Sequence, residues 1–411
     1  VKKMKKQLIL SLIAVPLINA YSITLEETLN IAEKNATKIR LSDKDIEKVE
    51  AQIKEAKSNI MPQASIAGSY TRWDPNYITG FTPKNQYSAK AGLTQKIFDY
   101  QVFNLIKVAE SNLELQKVIK EDVKQQVKDT ARRLFLTSLT YKEIMKIKEE
   151  NLKYWQENYK YVEAKYDAGL LAKYDFMRAS SQLQSAIADY ENAKANYEKS
   201  IEDLKRFLMI EDITPPEGNL EKLTYNKEIN IENNTALKVI KQQIKVAQQQ
   251  VEYQKSANYP SLSAFVNYQA NNQVRFPSTS EVWKKGYNLG LSLNWTLFDG
   301  FAKDSRVLQA KIDKTKNEIT YQDKITELKT TLNKTLADIK ALEHQLKANE
   351  ENLKVAKEAL RLSTERFKAN IANTLEVLES ENNYHSAQLN YLNTLYNYNL
   401  KIFDLMNLNG E

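Results

Sequence analysis

Few side chains in this sequence are equipped for covalent chemistry. Its two histidines, His344 and His385, are far apart in the chain, and it has no cysteine. No glycine-rich loop has the spacing that cradles phosphate. Carboxylates are abundant, but none stands in a recognised catalytic spacing. The best-defined carboxylate pattern is Glu376 and Glu379, whose i, i+3 spacing puts both on one helical face. Such a pair can attract cations, and a solvated helix face explains it equally well in isolation. His344 sits in a Glu-His-Gln stretch and reads as a surface residue. The six methionines are scattered, which gives no support to a copper site. The chemistry on offer is electrostatic, and the chain does not read as an enzyme.

The elements that must position these groups are mostly helices. No glycine occurs between Leu93 and Ala168 or between Phe301 and Asn409, and no proline between Lys84 and Thr214 or after Ser278. Such runs, rich in Lys, Glu, Gln, Leu and Ala, predict very long helices. From Ile325 the apolar positions run through Leu328, Leu332, Leu336, Ile339 and Leu342 to Leu360 at a mean spacing of 3.5, the period of a left-handed supercoil.

Prolines and most glycines gather instead in residues 61–92 and 260–300, where the apolar period becomes two. Strands are expected over 63–73, 86–97, 261–271 and 287–297. The clearest sets Tyr287, Leu289, Leu291, Leu293, Trp295 and Leu297 against Asn288, Ser292, Asn294 and Thr296. Each strand is about ten residues, the length a tilted strand needs to cross a bilayer. Trp73, Tyr87, Tyr268 and Tyr287 lie where an aromatic girdle would sit.

The chain is duplicated. Met61-Pro62-Gln63 parallels Tyr259-Pro260-Ser261, Ile97-Phe98-Asp99 parallels Leu297-Phe298-Asp299, and Tyr166-Asp167-Ala168-Gly169-Leu170 parallels Phe367-Lys368-Ala369-Asn370-Ile371. The expected organisation is a first repeat over 21–213 (helices 24–60, 99–168 and 171–209), a linker over 214–232, and a second repeat over 233–411 (helices 235–259, 301–370 and 373–408). Pro62, Phe98, Asp99, Pro260, Phe298, Asp299 and Gly300 mark the junctions between strands and helices.

Residues 1–20 have the layout of a secretory signal peptide: four lysines, an apolar run of eleven residues, then Ala20. Removing them lowers the formal charge from +7 to +3, and the remaining Lys and Glu alternate along helices. Nucleic-acid binding is therefore not expected. No later run is long and apolar enough for a membrane helix, so any membrane crossing must use strands. A sheet in lipid has to close on itself, and four strands cannot. Copies of the chain must pool their strands.

With these residues in view, the sequence resembles the TolC family of outer-membrane efflux proteins from Leu25-Glu26-Glu27 through Leu408-Asn409-Gly410. The most specific segments are the two helix turns, Lys165-Tyr166-Asp167-Ala168-Gly169-Leu170 and Arg366-Phe367-Lys368-Ala369-Asn370. The resemblance implies a mainly helical chain with four membrane strands. Three such chains would share a twelve-strand β-barrel and a long periplasmic α-barrel built of coiled-coil helices. It implies a homotrimeric channel in the Gram-negative outer membrane, without cofactor or resident metal. That channel would conduct substrates passively from a periplasmic adaptor and an inner-membrane pump of RND or ABC type.

The family pattern also assigns residues. Glu376, Glu379 and Asp175 fall at the pore constriction, and Gly169, Leu170, Asn370, Ile371 and Ala372 fall at the turns where an adaptor docks. The family's latch arginine falls on Ala372, although Asp175 retains the acid, so closure must rest on other contacts. The rival expectation is a soluble periplasmic coiled-coil adaptor or scaffold, which explains the leader and the heptads but not the four strands.

Overall fold

A computed structural model describes residues 23–78, 82–211, 216–225, 227–275, 280–369, 371–372 and 374–411. The expected leader, residues 1–20, lies outside the described residues, as does the turn residue Asn370.

Seven helices appear among the described residues: α1 (Leu25–Asn35), α2 (Thr37–Ser58), α3 (Tyr100–Asp167), α4 (Lys173–Leu208), α5 (Thr235–Ser256), α6 (Ala302–Lys368) and α7 (Thr374–Leu408). Four strands accompany them: β1 (Gln63–Arg72), β2 (Asn85–Asp99), β3 (Ser261–Val274) and β4 (Glu281–Asn294). The breaker-free stretches form α3 and α6, of 68 and 67 residues. Each is about 100 Å long at 1.5 Å per residue.

The helix expected over 24–60 is instead two helices. Ala36 leaves helical geometry at φ −55° and ψ 127°, while its N–H still closes α1 on the Ala32 carbonyl at 2.9 Å. Nothing at Ala36 resembles a breaker, so composition did not signal the break. The start of α1 is better marked. Thr24 and Glu27 form a reciprocal capping box.

The chain divides into two compact units. One gathers the described residues within Val1–Ala36, Lys128–Tyr225 and Asp338–Phe403. Its core includes Ala32, Ala131, Ser138, Leu204 and Leu208, all fully buried. Along α4 the buried positions Ala179, Ala186, Ala193 and Ser200 recur every seventh residue, and Ala186 lets the Trp155 indole of α3 pack against it. The linker is stapled to this unit by side chains: Lys142 donates to the Pro216 carbonyl, and buried Asn399 bonds both Leu223 N–H and the Glu221 carbonyl.

The other unit comprises Thr37–Val127, Asn226–Ala337 and Asp404–Glu411. It contains one antiparallel sheet in the order β1-β2-β3-β4. Alternation placed the last strand at 287–297, but pairing places it at 281–294. β3 ends at Ser261, opposite Asn294, and offers no backbone partner beyond it. Trp295 leaves the ladder and donates its indole N–H to the Asn258 carbonyl.

The heptad on α6 also needs one correction. Leu328, Leu332, Ile339, Leu342 and Leu346 are the less exposed residues of their turns, whereas Leu336 is exposed and Thr335 is buried beside it. A strict alternation of four and three residues from Leu328 passes through position 335, so geometry overrides the apolar choice. At the heptad position Asn349, the side chain donates to the Thr394 hydroxyl of α7 at 2.9 Å, a polar contact that fixes register.

Candidate functional site

The sheet has two chemically different faces, consistent across all four strands. Because side chains alternate, the register puts Ile66, Ala91, Tyr268 and Tyr287 in one row, and Ala64, Leu93, Val266 and Leu289 in the next. This face is open: Ile66 is 89% exposed and Leu291 67%. A contiguous exposed apolar surface of this size marks contact with lipid or protein.

Tyr70 and Tyr87 sit opposite each other on the same face, with ring centroids 5.1 Å apart. Trp283, opposite Asn272, continues that aromatic row. Trp73 does not join it, because its indole N–H bonds Gln86, which belongs to the polar face. Trp283 was not anticipated, since the strand was expected to begin after it. Buried Asn272 ties strand ends together, accepting from Tyr87 N–H and donating to the Asn85 carbonyl and Glu281.

The strand–helix junctions are built by the repeated Phe-Asp pairs. Asp99 Oδ1 accepts the N–H groups of Gln101 and Val102 at the start of α3, while its Oδ2 holds Lys96 at 2.9 Å. Asp299 accepts Lys303 N–H at 3.0 Å and pairs with Arg306. Capping carboxylates also complement the positive end of each helix. In the second repeat Gly300 and Phe301 both take positive φ, 69° and 66°, and the Phe301 ring packs edge-on against Phe298. Only Gly300 adopts that backbone without strain. Pro62 and Pro260 each immediately precede a strand, a position that needs no ladder N–H.

The turns of the two long hairpins share one design. After α3, Leu170 N–H reaches the Lys165 carbonyl and Gly169 N–H the Tyr166 carbonyl, both at 2.9 Å, with Gly169 at φ 72°. That is a Schellman turn, whose left-handed residue favours glycine. After α6, Ile371 N–H reaches the Arg366 carbonyl at 2.8 Å in the equivalent bond. Leu170 and Ile371, whose N–H groups close these turns, are 72% and 70% exposed.

Of the expected constriction residues, Glu379 is exposed and Asp175 half-buried. The Glu376 carboxylate meets the Arg366 guanidinium at 2.8 Å across the α6–α7 turn. Lys165 sits over the rings of Tyr161 and Phe367 at 4.6 and 5.7 Å, and those rings contact each other, so α3 is joined to α6 beside the turns. Ala372 cannot supply an ionic latch. Arg366 and Lys165 were not singled out from sequence, although both lie within the turn motifs that were.

A buried polar cluster lies further along α7, within the same unit as the turns. Glu381 Oε1 meets His385 Nε2 at 2.6 Å and Asn151 Nδ2 at 3.3 Å, while Glu381 Oε2 is buried without a hydrogen-bond partner. Burial, aided by the Glu381 charge, pushes the Tyr154 phenol well above its usual range. Nothing here has the layout of a catalytic centre. Among the described residues no group of three histidine or acidic side chains could hold a metal ion. A groove of about 370 Å³ between α3, α5 and α6 has Asp313 as its only titratable lining residue. No helix among the described residues is long and apolar enough to cross a membrane.

Comparison with known proteins agrees with this geometry. TolC of Escherichia coli K12 is 23% identical over 208 residues, an alignment spanning 49% of this chain and 42% of that relative. Solved structures match along nearly the whole length. CusC superposes with a TM-score of 0.78 at 16% identity, covering 94% of this chain and 92% of its own. The CmeC outer membrane channel of Campylobacter jejuni gives 0.76 at 19% identity, covering 94% and 85%. The fold is therefore that of the TolC-like channels, helical with four antiparallel strands per chain. The model of the outer membrane efflux proteins, a family of channels and not of enzymes, matches residues 28–208 and 229–411, and the chain belongs to that family.

Proposed function

We propose that three copies of this chain form a channel in the Gram-negative outer membrane. It conducts substrates passively from a periplasmic adaptor and an inner-membrane RND or ABC-type pump. The observation that carries this reading is the sheet: four strands whose one face is apolar from Ala64, Leu93, Val266 and Leu289 to Ile66, Ala91, Tyr268 and Tyr287, with charged residues only towards the far strand ends, and two unpaired edges, β1 and β4. Open edges cannot persist in lipid, so β4 of one copy pairs with β1 of the next until the wall closes. Strands of 14 residues are about 46 Å long, which a tilt near 45° turns into a span of about 33 Å. Exposed Leu308, Ile312 and Ile319 on α6 supply further apolar surface for neighbouring copies.

Fractionation tests this reading. The protein is expected in the outer membrane as an oligomer that dissociates on heating and conducts ions in planar bilayers. A monomer recovered from the periplasm would favour the soluble adaptor reading instead.

Within this reading Glu376, Glu379 and Asp175 ring the narrow mouth, and the exposed turn residues Gly169, Leu170 and Ile371, with half-buried Ala372, meet the adaptor. The Arg366–Glu376 pair replaces the latch that Ala372 cannot form. It is an exposed pair, so its loss changes stability by only about 0–1 kcal/mol. E376Q/E379Q is expected to form the same heat-sensitive oligomer. Its half-blocking concentration for a trivalent cation should rise about tenfold or more as carboxylates leave the axis. Unchanged block would remove these residues from the constriction.

A further inference from the structure

We propose that the polar face of the sheet gives the strand-walled lumen a preference for anionic solutes, and that Lys90 and Lys284 supply it. The inference rests on the channel reading above, because it takes the face opposite the apolar one as the face toward the solute.

The register places the two lysines in adjacent rows of that face. Lys90 stands between Ala67 and Gln269, and Lys284 lies opposite Asn271, which itself faces Ser88. Both side chains are exposed. The next row toward the helices is Ser65, Gly92, Asn267 and Asn288, all uncharged. Nothing lies within 4 Å of where a Cβ would stand at Gly286, so the space beside Gln269 is open to solute.

The lysines are not neutralised locally. On this face the strands carry one acid, Asp99, and it is committed to Lys96 at 2.9 Å and to the start of α3. Glu281 belongs by register to the opposite face, where Asn272 donates to it at 2.9 Å. Asp74 accepts Asn76 N–H in the loop after β1. Among the described residues no carboxylate pairs with Lys90 or Lys284.

Three copies would bring six uncompensated ammonium groups into two neighbouring levels of a water-filled passage with low-dielectric walls. That arrangement focuses potential and concentrates counter-ions, and rings of Lys or Arg favour anion passage in pores. The ligand class is solutes bearing carboxylate, phosphate or sulfonate groups. The effect is opposite in sign to that of the turn carboxylates, which are the same in every protein compared below.

The test is ion selectivity in planar bilayers under a potassium chloride gradient. In K90Q/K284Q the ratio of chloride to potassium permeability is expected to fall about threefold or more below the wild-type value. K90E/K284E should carry the shift further. K285Q removes the same charge one residue away but on the lipid-facing side, opposite Ala270, and should leave the ratio unmoved. In the wild-type channel, chloride preference should weaken between about 0.1 and 1 M salt, as the screening length falls from about 10 to 3 Å. That measurement needs no variant and stands even if a substitution impairs assembly.

Conductance whose selectivity is untouched by K90Q/K284Q, or moved equally by K285Q, would overturn the inference and leave the channel intact. Absence of any conductance from assembled wild-type protein would sink the channel reading and this inference with it.

Discussion

Arginine in place of Leu291 empties the outer membrane of this protein. Leu291 lies midway between Tyr287 and Trp295 on the apolar face of β4 and is 67% exposed in the single chain. Among the described residues nothing covers it, and in the proposed channel lipid does. A lysine or arginine at the middle of a membrane barrel costs about 2–4 kcal/mol per site. In the proposed trimer, three symmetric copies would raise that to about 6–12 kcal/mol, which rivals the net stability of an entire domain.

The same residue at Asn288 gives the contrasting result. Asn288 occupies the polar face, opposite Asn267, where a long cation meets water. Membrane fractions of the two variants, probed for the heat-sensitive oligomer, separate the outcomes. L291R is expected to be missing from the outer membrane and degraded, while N288R assembles. Normal assembly of L291R would mean that the apolar face is not turned to lipid.

That contrast works because the sheet was readable residue by residue. Alternation in Leu289, Leu291 and Leu293 exposed the face, and proline before each odd strand located the start. What alternation could not supply was register. The pattern continues through Trp295 and Leu297, but the ladder stops at Asn294 because the partner strand ends at Ser261. Strand limits are set by a neighbour, and a neighbour distant in sequence leaves no mark on a local pattern. The same limit applied in the α6 heptad, where Leu336 looked like a core residue and Thr335 holds the position.

The turns were legible for a different reason. Gly169 is demanded by backbone geometry, so its repeat position could be found from local sequence alone. The contacts around it could not. Arg366 reaches Glu376 across a turn, and Lys165 reaches Phe367 on another helix. Long flexible side chains choose partners only after the helices are placed. The break at Ala36 was equally hidden, since alanine is the best helix former and signals no ending.

The second large effect concerns a group that sequence gave no reason to notice. His385 to alanine is expected to destabilise the helical unit by about 1–3 kcal/mol or more, the cost of leaving a buried polar group without its hydrogen-bond partner. Glu381 is only 3% exposed at its side chain, and His385 Nε2 at 2.6 Å is its shortest contact. Without the imidazole, Oε1 keeps one long bond from Asn151 at 3.3 Å, and Oε2 is already without a partner. The surroundings cannot compensate, because Leu378 stands one helical turn away, packed against Trp155 and Ala186.

If the loss arises from the stranded carboxylate and not from the missing ring, removing both polar groups should undo it. E381L/H385L fills similar volume with apolar atoms, and replacing both partners of a buried hydrogen bond in this way can be nearly neutral or stabilising. The temperature at which the oligomer dissociates in detergent therefore drops sharply in H385A and returns to the wild-type value or above in E381L/H385L. A double variant as unstable as the single one would show that packing by the imidazole, not pairing with Glu381, is what this part of α7 requires.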